Sequence, residues 1–311
     1  MISSSIPVFD MAELSLDNLA AESRLRAARS GVFYLRHNKQ LQLQHDLAAA
    51  EALHFFTQAS ESERRAATNH DPTIRRGFSP LESESTAKAT RLGTSTDYAL
   101  AFSMGVGKNL FPSNDFAMAW DRYFGGLSAV AHDVAAALFR QTFDRKTVKS
   151  ESLVSCDPVL RFRYFPEVPH NRCAEFDACR MAEHYDLSIL TLIQQTPCEN
   201  GFISLQARID GALVDVPPVE GMLVVMCGAV APLLSGGSIE VPRHRVQAPP
   251  LSLRQGSSRT SSVFFLRPAA NFRFSVDLAR KCGLDVTTPG TSITFSQWMA
   301  ENYTEMRTNG R

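Results

Sequence analysis

The sequence predicts an α+β, mainly β chain: a helical first half supporting a jelly-roll barrel or sandwich. Three observations lead there. Strand-like runs recur from Val159 onward, at 160–165, 189–194, 202–209, 222–227 and 261–266. Asn200-Gly201, Asp210-Gly211 and Gly236-Gly237 punctuate them, and such dipeptides supply the positive φ that tight turns need. The first half instead carries long runs at helical spacing. Short strands separated by turn signals in this way close into barrels or two-sheet sandwiches.

Residues 6–9 read as a short strand. Residues 12–29 have helical spacing at Leu14, Leu19, Leu25 and Ala28, with Gly31 as a stop. Residues 32–35 form a β-branched and aromatic run, hence a strand. Residues 41–58 are helical, with Leu43, Leu47, Ala50 and Leu53 expected on the buried face. Ser60 and Glu63 have the spacing of a capping box. Residues 69–114 read as loop-rich, and loops that long in compact domains tend to be functional. Residues 114–142 give the longest helix, its stripe being Phe116, Trp120, Phe124, Leu127, Val134 and Leu138, with a bend expected at Gly125-Gly126. A final helix spans 296–307, anchored by Trp298, Met299 and Tyr303. No internal repeat is evident. One domain is expected over 1–311, with helical support to about residue 150, a jelly-roll core over about 157–268 and a C-terminal tail from about 290.

Composition narrows the function classes. The 32 basic and 32 acidic residues balance, so long-range capture of nucleic acid or an anionic membrane is not expected. No apolar run is long enough to span a bilayer. Residues 1–14 include Asp10 and Glu13 and lack the order of a secretory signal. The 6 cysteines contain no C-x-x-C. Reduced thiols in a cytoplasmic protein with no obligate protein partner are the expectation.

Three runs carry chemistry: His184-Tyr185-Asp186, then His244 about sixty residues on, then Arg259-Thr260-Ser261. Strand side chains repeat direction every two residues. His184 and Asp186 would share a face on a strand, as would Arg259 and Ser261. Two imidazoles and one carboxylate with open positions suit non-haem Fe(II) that must bind oxygen. Two positions suit a bidentate 2-oxo acid and the third suits O2. Arg259 would pair with the far carboxylate of that acid, and Ser261 would add a hydroxyl. Such oxidation needs a dry pocket, and Leu190, Ile193 and Phe265 are candidates for its wall. Arg161 and Arg163 also share a face. Inside a barrel they require buried acidic partners, solvent or an anionic substrate. Arg75-Arg76 is either solvated surface or a ligand site. A zinc metallohydrolase on the same ligands and a non-catalytic anion-binding barrel are the alternatives.

The chain also resembles the 2-oxoglutarate- and iron-dependent oxygenases of cephalosporin biosynthesis nearly end to end. The matching stretches include Thr73 to Phe78, Leu81 to Thr86, Phe102 to Gly105, Asn109 to Ser113, Leu160 to Pro169, His184 to Ser188, Gln195 to Cys198, Ser257 to Pro268 and Asn302-Tyr303. The resemblance implies a double-stranded β-helix core with Fe(II) on His184, Asp186 and His244. It implies 2-oxoglutarate on Arg259 and Ser261, with Met181 lining that pocket. It places an anionic β-lactam near Arg75, Arg76, Arg161 and Arg163, with Thr191, Ile193 and Glu305 nearby. O2 is then the oxidant and ascorbate an accessory reductant. The implied reaction is ring expansion of penicillin N to deacetoxycephalosporin C, or hydroxylation of the cephem 3-methyl, or both. Glu183 stands where relatives usually carry Pro, and Glu305 where they carry Asn or Thr. Residues 36–70 and 143–156 match poorly.

Overall fold

The computed structural model describes residues 6–14, 28–68, 76–139, 157–169 and 179–306. The first half contains β1 (Val8–Asp10), α1 (Met11–Leu14), β2 (Val32–Arg36), α2 (Lys39–Gln58), α3 (Glu61–Ala66), β3 (Gly77–Ser79), α4 (Thr86–Ala89), β4 (Leu100–Gly105) and α5 (Asn114–Phe139). The second half contains β5 (Val159–Phe165), β6 (Cys179–His184), β7 (Leu190–Gln195), β8 (Leu205–Ile209), β9 (Ala212–Asp215), β10 (Met222–Cys227), α6 (Ala231–Leu234), β11 (His244–Gln247) and β12 (Arg259–Leu266). It closes with β13 (Arg273–Ser275), α7 (Val276–Lys281), β14 (Ser292–Thr294) and α8 (Phe295–Met306).

Eight strands form one sheet in the order β1-β2-β10-β7-β12-β5-β4-β3, and four form a second, β6-β11-β8-β9. Pairing is antiparallel except between β1 and β2. This is the jelly-roll core expected from the strand pattern. Strand pleating divides the large sheet between two cores. Leu190 and Leu192 of β7 and Phe264 of β12 face the helices, in one cluster with Trp120, Phe116, Phe102 and Phe162. Ile193, Val263 and Phe165 face the second sheet, in another cluster with Met181, Leu205 and Val246. Function is built on that second, inner face.

Several expectations need correction. Helix α2 forms, capped by the Asn38 side chain on the Leu41 N–H. Its buried face is Leu41, His45, Ala48, Ala52, Phe55 and Phe56, while Leu43 and Leu47 are 60% and 57% exposed. The helix carries two apolar stripes, and the one ending in two phenylalanines wins because those rings meet Phe78 and Phe102 edge-on or tilted. Edge-to-face ring pairs add about 1 kcal/mol beyond the area they bury. Helix α5 runs unbroken through Gly125-Gly126. A Cβ at Gly126 would lie 2.5 Å from Gln44 Oε1 and 2.8 Å from Leu41 Cδ1. The glycine there permits close approach of α2 rather than a bend.

The stretch read as loop-rich contains β3, α4 and β4. Strand β4 pairs with β5 along its whole length, Phe102 opposite Phe162. The expected helix over 12–29 is described only as α1; residues 15–27 lie outside the described residues, and Ala28 and Arg29 are not helical. The capping box at Ser60 and Glu63 is present, and Gly201, Gly211, Gly236 and Gly237 all have positive φ. Among the described residues no helix is long and apolar enough to cross a membrane. Cys179, Cys198, Cys227 and Cys282 are free thiols, and Cys156 and Cys173 lie outside the described residues.

Candidate active site

Strand β6 ends on His184 and β11 begins on His244, and the two are cross-strand partners. Their ring centroids lie 4.3 Å apart. Asp186 is not on the strand with His184, as the two-residue spacing had implied; it sits two residues beyond the strand end. Its backbone is pinned from the turn after β10: Ala229 N–H donates to the Asp186 carbonyl at 2.8 Å and Val230 N–H to the Ser188 carbonyl at 2.9 Å. A side chain at Gly228 would collide with the Ser188 carbonyl and hydroxyl. Only glycine lets the two turns close on each other. Gly228 is therefore a residue of the site that local spacing could not reveal.

Each of His184, Asp186 and His244 offers one ligand atom, and these atoms lie within 4.8 Å of one another. All three side chains are buried. His184 Nδ1 pairs with the Ala182 carbonyl at 2.8 Å, which leaves Nε2 for the cluster. His244 Nε2 is 3.8 Å from Asp186 Oδ2, and that buried carboxylate oxygen has no hydrogen-bond partner. A buried unsatisfied acceptor of this kind is costly, and a cation between the three groups answers it. Burial first, then the neighbouring His244, holds His184 well below the usual imidazole range, with Arg163 adding to this and the Ala182 carbonyl opposing it. Neutral imidazole is the form that binds metal. The donor set fits Fe(II) with open positions.

Beside the cluster runs a cavity lined by Met181, Ile193, Arg259 and Ser261, together with Arg163, Phe165 and the three ligand candidates. Arg259 and Ser261 thus share a face, as their spacing predicts. The Arg259 guanidinium lies 4.9 Å from the Phe165 ring centroid, and Nη1 donates to Gln195 Oε1 at 2.7 Å. Its buried Nε has no partner. Among the described residues it makes no ion pair. Burial lowers its pKa to about 10, so it stays cationic at neutral pH. A buried cation lacking a counter-ion at the end of an apolar cavity is a receptor for a carboxylate.

A second cavity shares Asp186 and Phe265 with the first. Arg161 and Arg267 line it, and Met299, Tyr303 and Met306 of α8 form one wall. Arg267 is a cation the sequence reading passed over. It donates to the Tyr303 hydroxyl and to Asp157 Oδ2, each at 2.7 Å. Arg76 Nη2 lies 3.9 Å from Asp157 Oδ1, and its guanidinium fills the space a side chain at Gly105 would need. Arg75 lies outside the described residues. Of the three fates open to Arg161 and Arg163, both have acidic partners, the half-buried Glu84 at 2.6 Å and the buried Asp97 at 3.4 Å. Both also line the cavities.

Other predicted residues lie elsewhere. Leu190 packs in the helix-side core; three positions from Ile193 on one strand, it faces the opposite way. Thr191 is fully buried, its hydroxyl paired with Ser188 Oγ at 3.1 Å, and it is not among the residues lining either cavity. Glu305 is exposed on α8 and likewise lines neither. Glu183 pairs with Arg208 at 2.6 Å. That hydrogen bond holds its carboxyl below the usual range.

The 2OG-Fe(II) oxygenase superfamily model matches residues 156–268, a span that contains all three ligand candidates, Arg259 and Ser261. The chain is 47% identical over 309 residues to a deacetoxycephalosporin C synthase of Amycolatopsis lactamdurans, covering 99% of this chain and 98% of that one. It belongs to the 2OG-Fe(II) oxygenase superfamily. The oxygenase is equally, at 47% over 309 residues, similar to a deacetoxycephalosporin C hydroxylase of Streptomyces clavuligerus, covering 98% and 97% of the two chains. Its fold superposes on a full-length Neurospora crassa protein solved in complex with alpha-KG, with TM-score 0.75, 17% identity and coverage of 96% and 95%. A dioxygenase for auxin oxidation in rice gives TM-score 0.70 and 17% identity, over 96% and 95% of the two chains. The protein is a 2-oxoglutarate-dependent dioxygenase that uses Fe(II), 2-oxoglutarate and O2, not a zinc hydrolase or an inert barrel.

Proposed function

We propose that this oxygenase converts penicillin N to deacetoxycephalosporin C by oxidative ring expansion. The observation that carries the reading is near-full-length 47% identity to the expanding relative, joined to a second cavity beside Asp186 that is lined by cations. Penicillin N is an anionic β-lactam, and such a cavity suits it electrostatically. Equal identity to the hydroxylating relative supports a second reading, hydroxylation of deacetoxycephalosporin C at the 3-methyl, as a companion activity.

His184, Asp186 and His244 would hold Fe(II), and Arg259 with Ser261 would anchor 2-oxoglutarate along the Met181 wall. Iron so held supplies, with O2, the oxidation that turns 2-oxoglutarate into succinate and CO2. The second oxygen atom leaves as water with two substrate hydrogens in expansion, or enters the substrate as hydroxyl in hydroxylation. Arg76, Arg161 and Arg163, with Arg75, would receive the substrate's carboxylates. Ile193 and Phe265 would dry the space between substrate and metal, and Thr191 would support that wall from beneath. Glu305, exposed on α8, would meet the aminoadipoyl ammonium from outside the cavity. Met299, Tyr303 and Met306 of helix α8 line the second cavity and would help to exclude water from the reacting carbon. We read residues 1–311 as one domain acting in the cytoplasm on a small molecule, without an obligate protein partner, and with ascorbate as an accessory reductant.

The test is product analysis with penicillin N and, separately, with deacetoxycephalosporin C, each with Fe(II), 2-oxoglutarate and O2. Deacetoxycephalosporin C from the first reaction is the expected result. Turnover of the second substrate alone would transfer the assignment to the hydroxylase reading.

A further inference from the structure

The segment between β3 and β4 closes on itself: Glu82 N–H donates to the Asp97 carbonyl, and Asp97 N–H donates to the Glu84 carbonyl at 2.8 Å. That pairing sets two carboxylates side by side against β5. Arg161 and Arg163, two positions apart on β5, stand about 7 Å apart along the strand. Each cation therefore meets one acid, but on unequal terms. Arg161 is gripped by Glu84 at 2.6 Å. Arg163 is held loosely: Nη1 is 3.4 Å from Asp97 Oδ2 and Nη2 is 3.5 Å from Thr86 Oγ1. Asp97 itself is 3% exposed. It accepts from the Thr86 hydroxyl and from the Thr86 N–H at 3.2 Å, so its position does not depend on Arg163. Arg163 lines the cavity of the ligand candidates and stands directly opposite Ser261 on the neighbouring strand.

We infer that Asp97 is a positioning residue: anchored by Thr86, it balances the Arg163 charge from behind and aims the guanidinium's remaining donors into the cavity, where they read a carboxylate of the substrate. The proposal rests on the reading of Arg163 as a substrate cation. The loose pairing is what the task requires. A close acid neutralises more of a guanidinium's charge and occupies its best-aimed donors, whereas a buried cation with no acid nearby carries a larger desolvation cost. The two arginines and two acids balance in formal charge. An incoming carboxylate thus meets a cation already oriented, with no rearrangement to offset against binding. Burial pushes the Asp97 carboxyl upward, with Arg163 and the Thr86 hydroxyl pulling against it, so the partnership with Arg163 favours the charged form.

The test compares penicillin N with its nucleus-carboxylate methyl ester, on wild type, Asp97→Asn and Arg163→Gln. Asp97→Asn keeps shape and loses charge. We expect its KM for the acid to rise about tenfold, the loss of one well-aimed charged hydrogen bond. KM for the ester and for 2-oxoglutarate stays within about twofold of wild type, because the lost interaction is one the ester never makes. Thr86→Val, which removes the hydroxyl that anchors Asp97 but leaves the carboxylate, moves KM for the acid in the same direction by a smaller factor. It serves as the reporter if Asp97→Asn does not fold. Equal loss on acid and ester, in either variant, overturns the proposal, since a structural defect cannot distinguish them. So does an unchanged or lower KM for the acid. If Arg163→Gln treats acid and ester as wild type does, the substrate role of Arg163 is wrong and the proposal falls with it. Discrimination lost in Arg163→Gln but kept in Asp97→Asn rejects Asp97 alone.

Discussion

Gly228 decides where Asp186 stands, although it carries no functional group. Its missing Cβ lets the turn after β10 clasp the turn after β6, fixing the Asp186 carbonyl through Ala229 N–H. Gly228→Ala forces the two turns apart and shifts the carboxylate from the imidazoles. Fe(II) affinity should drop about 10–100-fold, as it does when support behind a metal ligand is lost. Calorimetric titration of Fe(II) into anaerobic apoprotein checks this, with an unaltered far-UV spectrum as the folding control. At this scale the sequence was readable where chemistry is local. His184, His244, Arg259 and Ser261 announce themselves by type and spacing. Asp186 was found by its motif but for the wrong reason, since it lies past the end of β6 and its position is set some forty residues downstream. Arg267 was hidden because its partners, Asp157 and Tyr303, lie far away in sequence.

Helices α2 and α5 show where element-level reading succeeds and fails. The stripe on α5 is buried as its spacing predicts except at Phe124, which is half-buried, because that helix has one apolar face. Helix α2 has two, and periodicity cannot choose between them; the sheet's rings choose. The glycine pair on α5 likewise needed the partner helix to be understood. Gly125 has nothing within 4 Å of a hypothetical Cβ, whereas Gly126 abuts Leu41 and Gln44. Gly125→Ala should stabilise the protein by about 1 kcal/mol, the helix-propensity difference. Gly126→Ala should gain less or lose stability, because its methyl must displace Leu41, which is 3% exposed. Chemical denaturation of the two variants side by side separates the cases, and equal stabilisation of both would refute close helix approach as the reason for Gly126.

Across the whole molecule, buried imidazoles tie stability to pH. Burial is the first cause holding His37, His45 and His184 below their ordinary values. Asp46 and a backbone carbonyl oppose it at His37, Asp46 opposes it at His45, and a backbone carbonyl opposes it at His184. The unfolded chain therefore takes up protons first as pH falls through about 6.5. The stability these groups contribute is present above that value and is lost progressively below it. Apoprotein unfolded in urea should be weaker at about pH 5.5 than at about pH 7.5, by up to about 1 kcal/mol for each histidine. Asp97, raised by burial, works in the opposite sense where it titrates. A flat profile over that range would mean the imidazoles are more solvated than the structure has them.

All of these scales meet at the cluster of His184, Asp186 and His244, whose ligand atoms lie within 4.8 Å of one another. Titrating Fe(II) anaerobically into wild type, His184→Ala, Asp186→Ala and His244→Ala, with 2-oxoglutarate present, tests the account most directly. One iron per wild-type chain, and no comparable binding in any of the three variants, is the predicted result; undiminished binding in any one of them would contradict it.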